Sequence, residues 1–133
     1  MTGTATLSTP TSSKPARIAD WGLRGLIAVA FIAAGGAKLA GAPPMVELFT
    51  SIGLGQWLRY ATAAFEIGGA VLILVPSLAI FGALLLAGTM AVAVLTHFAL
   101  IGGNPAPAIT LLVLNLIVLW MRRASVVAAL SRR

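Results

Sequence analysis

Four ionisable residues stand in apolar surroundings and have the chemistry to act on a small molecule: Lys38, Arg59, Glu66 and His97. Glu66 lies inside "ATAAFEIGGAVLIL", residues 61–74, flanked directly by Phe65 and Ile67. An isolated charge at mid-membrane costs about 2.5–3.5 kcal/mol on insertion scales, so such a group must face the interior of a bundle, find a partner or lose its charge. A carboxyl and an imidazole exchange protons, and an ammonium or guanidinium polarises an oxygen. Glu66 and His97 are therefore the candidate proton-transfer groups, and Lys38, Arg59, Glu66 and His97 together the candidate ligand-binding set. A structural reading stays open beside this one. Lys38 and Arg59 would then reach to the membrane interface, His97 would bond a carbonyl, and Glu66 with Lys38 would form an ion pair that locks two helices.

Composition says what medium these residues sit in. The chain of 133 residues is 59% hydrophobic and 9% charged, well away from the roughly half-apolar, quarter-charged make-up of soluble domains. Its mean hydropathy is +1.03. It reads as an all-α integral membrane protein small enough for one compact bundle. With no cysteine it has no disulfide, thiolate metal site or CxxC redox pair. No metal-ligating cluster stands out. The net charge of +6 raises nucleic acid as a partner, but its placement argues against it. Lys14, Arg17, Arg24, Arg122, Arg123, Arg132 and Arg133 flank the ends of apolar runs, where basic residues set topology on the cytoplasmic side. Arg24 is read as one of these topology residues.

Four apolar runs position the ionisable groups. Helix 1 is expected from about Asp20 to Leu39, helix 2 from Gln56 to Val75, helix 3 from Ser77 to Ile101 and helix 4 from Pro107 to Met121. Pro76 and Ser77 make the second connection a tight hairpin, and "GGNPAP" at 102–107 stops helix 3 and starts helix 4. The result is a four-transmembrane-helix bundle, N-in and C-in, over residues 17–123. Residues 1–16, rich in Thr, Ser and Pro, form a disordered cytoplasmic tail, and 124–133 a basic one. Helix 1 also has the basic start and small-residue end of a signal peptide, but it is kept here as a span. With this topology Lys38, Arg59, Glu66 and His97 meet in the outer half of the bundle from three helices. Glu66 lies seven residues after Arg59, about 10 Å of helical rise on nearly the same face.

The long connection between helices 1 and 2 carries Met45, Leu48, Phe49 and Ile52 at helical spacing behind Pro44, the pattern of a short interfacial helix that caps the bundle as an anchor or a lid. Ala79, Ala83, Ala87 and Ala91 on helix 3, with Ala64 and Gly68 on helix 2, form small-residue stripes suited to close helix packing; Leu85 and Leu86 are placed on other faces. Asn115 is read as a hydrogen bond between helices. "FIAAGG" from Phe31 and "FALIGG" from Phe98 hint at two related helix pairs.

Arg24, "GGAKL" at 35–39, "FTSIGL" at 49–54, "EIGG" at 66–69 and His97, spread over residues 17–123, together make a pattern that resembles the DoxX/DoxD-like family of small four-helix membrane proteins. The resemblance implies a bacterial inner-membrane protein linked to quinone-dependent oxidation or to membrane-tethered redox complexes. On that expectation the outer pocket takes a quinone-like or other small molecule, and a soluble redox partner supplies electrons. A proton-coupled small-molecule exporter and a membrane scaffold for partner proteins are the alternatives, and a homo-oligomer is compatible with all three.

Overall fold

The structure, a computed structural model, describes residues 14–131 and is helical between short connections. Six α-helices follow one another: α1 (Lys14–Ala40), α2 (Pro43–Ile52), α3 (Trp57–Leu74), α4 (Ala79–Thr96), α5 (Ala106–Met121) and α6 (Arg123–Ser131), with a π-helical segment, His97–Ile101, continuing α4. The four longer ones form a ring in which α1 and α4 each pack on both α3 and α5.

Local chemistry explains most boundaries. The helix α1 is already formed at Lys14, the first described residue and six residues before the expected Asp20, since nothing between Ala16 and Trp21 breaks a helix. Residues 1–13 of the expected tail lie outside the described residues. Pro43 and Pro44 open α2, and Gly53, at φ +83°, closes it in the left-handed conformation while its N–H bonds the Phe49 carbonyl. Val75 to Leu78 form the tight α3–α4 turn. Asn104 Oδ1 accepts from the Ala106 N–H at 3.0 Å and so satisfies the first free donor of α5, whose N-cap position is Pro105. In the stretch expected as a C-terminal tail, residues up to Ser131 belong to α6, at whose start Arg123 lies over the Trp120 ring at 4.0 Å; residues 132–133 lie outside the described residues.

Ile27 and Phe31 of α1, Ala70 and Ile73 of α3, Leu86 and Met90 of α4 and Val118 of α5 fill the interior. Small residues let the helices approach. A Cβ built on Gly82 would stand 2.5 Å from the Ile73 nitrogen and 2.8 Å from the Gly69 carbonyl oxygen, so α3 and α4 touch backbone to backbone. The alanine stripe holds at Ala79, Ala83 and Ala87, which are buried. Two details differ from expectation. On α3 the packed small residues are Ala63, Gly69 and Ala70, while Ala64 is exposed; Leu86 is fully buried instead of lying on another face. The two similar hexapeptides also part company, since Phe31 is buried and Phe98 is 73% exposed.

The helix exteriors are apolar. Trp57 and Tyr60 mark one end of the bundle and Trp21 and Trp120 the other, all exposed, as aromatic residues are at the two membrane interfaces. Among the described residues three stretches are long and apolar enough to cross a bilayer: Lys14–Ala40, Trp57–Leu74 and Ala79–Ile101. The apolar α5 is shorter, 16 residues or about 24 Å, against a hydrocarbon core of about 30 Å.

Candidate functional site

Lys38 lies near the end of α1 and Glu66 at the middle of α3, and the two helices pack side by side. Gly35 makes the approach close, its missing side chain taken up by Ile67 of α3. Lys38 Nζ thereby reaches both carboxylate oxygens of Glu66, Oε1 at 3.1 Å and Oε2 at 3.0 Å. Both residues are buried, at 8% and 2% exposure. Withdrawing two charges from water is offset only by such close pairing, and removing one partner strands the other.

The pair forms part of the wall of a cavity of about 780 Å³ in the half of the bundle that holds α2. Met45, Leu48, Phe49 and Ile52 of α2 close one side, the four residues whose spacing pointed to a capping helix. Thr62 and Phe65 of α3, Thr89 and Met90 of α4, and Ala108 and Leu111 of α5 contribute to the rest. The lining is mainly apolar, with the ion pair as its charged feature. Its volume falls within the range of about 300–1,000 Å³ typical of small-molecule pockets.

His97 lines the same cavity from the start of the π-helical segment. There the Gly102 N–H bonds back to the His97 carbonyl at 2.8 Å, and the imidazole Nδ1 donates to the Gly102 carbonyl at 2.9 Å. That bond places the proton on Nδ1 and leaves Nε2 as the ring nitrogen able to accept. Single π turns recur at functional positions, where they re-aim a side chain.

Arg59 does not join this wall. Its Nη1 donates to the main-chain carbonyl of Lys38, Nε to Gln56 Oε1 at 2.8 Å and Nη2 to the Tyr60 hydroxyl at 3.2 Å. The guanidinium thus satisfies a carbonyl in the last turn of α1, where a cation also suits the helix dipole. It holds the backbone that carries Lys38 and does not face the cavity.

A second polar cluster, unrecognised as such in the sequence, occupies the opposite end. Arg24, 1% exposed, pairs with Asp20 at 2.9 Å, donates to the Ile73 carbonyl at 3.1 Å and stacks on Trp21 at 3.9 Å. Arg122 reaches the same Asp20 oxygen at 3.1 Å. Arg24 therefore does for the end of α3 what Arg59 does for the end of α1. The spacing of Asp20 and Arg24, four residues apart with the acid first, was the available signal; the partnership with Arg122 had none. Asn115 is fully buried, but its amide donates to the Leu111 carbonyl of its own helix at 2.8 Å instead of bridging to another.

Apolar helices ringed around a cavity, with a buried ion pair in its wall, define a multi-pass membrane protein with an internal cavity. A model of the DoxX-like family matches residues 22–130, and the chain belongs to that family. No curated protein and no solved structure matches it.

Proposed function

We propose that this DoxX-like protein is a redox-associated subunit of the bacterial inner membrane. It crosses the membrane four times with both termini in the cytoplasm and holds a quinone-like small molecule in the cavity beside Lys38 and Glu66. The observation that carries this reading is the Lys38–Glu66 pair in the wall of a mainly apolar cavity. An apolar pocket with few polar groups suits an uncharged, ring-containing ligand with an oxygen acceptor. Lys38 Nζ has three donors and the Glu66 carboxylate engages two, so one remains to bind and polarise a ligand oxygen. Glu66 keeps the ammonium in place and, with His97, accepts or returns protons as the bound molecule changes its proton content. Arg59 fixes the main chain under Lys38 and so acts as a positioning residue.

The residues present fit a quinone head group, which when bound would supply the two-electron chemistry. Electrons would come from a soluble partner. The apolar lining and the internally paired charge give less support to an exporter of cationic drugs. Extraction of the purified wild type and of Lys38→Met, followed by mass spectrometry of copurifying small molecules, tests the proposal. A quinone retained by the wild type and lost from Lys38→Met is the expected result. A protein that copurifies with nothing, yet dissipates a proton gradient when a drug is added, would replace it with the exporter reading.

A further inference from the structure

Among the residues that line the cavity, Phe65, Leu84, Gly88 and Val92 are also exposed on the flank of the bundle, the three large ones at 52%, 53% and 62%. Leu84, Gly88 and Val92 follow one another every fourth residue and so form one stripe along α4, with Phe65 belonging to the neighbouring α3. The two helices are in backbone contact nearer their hairpin, where Gly82 meets Gly69 and Ile73, and the cavity begins beyond that contact. At Gly88 a built Cβ meets nothing within 4 Å, so open space stands where a side chain would otherwise project.

We infer that the cavity opens sideways into the bilayer between α3 and α4, and that its ligand is a lipid-tailed molecule that enters from the membrane and leaves its tail in this opening. The inference rests on the ligand reading given above and narrows it. A flank of Phe, Leu and Val faces acyl chains, so what passes there must already be dissolved in the bilayer. At the end that holds α2 the cavity is covered by the apolar face of that helix, with His97 and Asn104 as the polar residues beside it. A molecule lying in the opening places its tail against the α4 stripe and its acceptor head toward Lys38. The missing side chain at Gly88 keeps that passage wide.

The test uses the full chain in nanodiscs made with phosphatidylcholine carrying a diazirine at the end of one acyl chain. After photolysis, mass spectrometry locates the attached lipid. Attachment is expected at interior cavity positions such as Thr62 and Met90 as well as at outer flank positions such as Val71 and Phe81. Gly88→Leu should lower interior attachment severalfold and leave the outer positions unchanged, whereas Gly68→Leu, also at a helical glycine with open space but outside the cavity, should change neither. Decylubiquinone should compete at the interior positions only. Attachment confined to the outer flank, or interior attachment indifferent to Gly88→Leu, overturns the lateral opening even if decylubiquinone binds. Interior attachment that Gly88→Leu blocks but decylubiquinone does not compete keeps the opening and removes the quinone.

Discussion

Lys38 is held at two points, its ammonium by Glu66 and its carbonyl by Arg59. A long, flexible side chain thus has a defined end and a defined root. The pair is a lock between α1 and α3 and at the same time part of a cavity wall, so stability and binding must be separated by experiment. Breaking a buried pair by removing one partner typically costs about 3–5 kcal/mol. Lys38→Met and Glu66→Gln should each lower the melting temperature in detergent, and the double substitution should recover most of the loss. Ligand retention should stay lost in all three. Restored stability together with restored retention in the double variant would leave the pair with a structural role alone. Lys38, Glu66 and His97 were legible because charges are scarce in apolar runs and must turn inward. Arg59 was legible as important but not in its aim, since helical periodicity gives a face and says nothing of a guanidinium that folds back onto a neighbouring carbonyl.

The helix contacts depend on single positions. Gly82 has no room for a methyl group, because the atoms it would strike are main-chain atoms of α3 that cannot rotate away. Gly82→Ala should therefore force α3 and α4 apart and cost at least the roughly 1–3 kcal/mol usual for overpacking. Gly88→Ala, with open space around it, should be neutral or stabilise by up to about 1 kcal/mol, through helix propensity. Thermal unfolding of both variants in one detergent decides this, and equal melting temperatures would place the α3–α4 contact elsewhere. The helices themselves were readable from apolar length, Pro76 and the "GGNPAP" break. Which small residues make contact was only half readable. On α4 four alanines at one spacing mark a face, but on α3 the packed set, Ala63, Gly69 and Ala70, lies on a different face from Ala64 and Gly68, one that only the partner helix defines.

For the molecule as a whole, charge is asymmetric. The end that holds Asp20, Arg24 and Arg122 also holds the described start of α1 and leads into α6, whereas Lys38 and Arg59 belong to the other end. Reporter fusions should follow that asymmetry: an enzyme active only outside the cytoplasm should work when fused at residues 50 and 104 and fail at 76 and 133. Activity at 133 without activity at 50 would invert the assignment, and activity at both would mean that α5 does not cross. The Lys38–Glu66 pair has one more consequence, for how the chain is made. Lys38 leaves the ribosome 28 residues before Glu66, so during synthesis the ammonium has no carboxylate to meet. Lying close to the end of α1, it can wait at the headgroup level with its stem along the helix. Glu66, at the centre of α3, has no such refuge and must enter beside a helix already in place. The order of the two residues along the chain thus sets a sequence of assembly, in which the first helix stays near the insertion machinery until the third arrives to neutralise it.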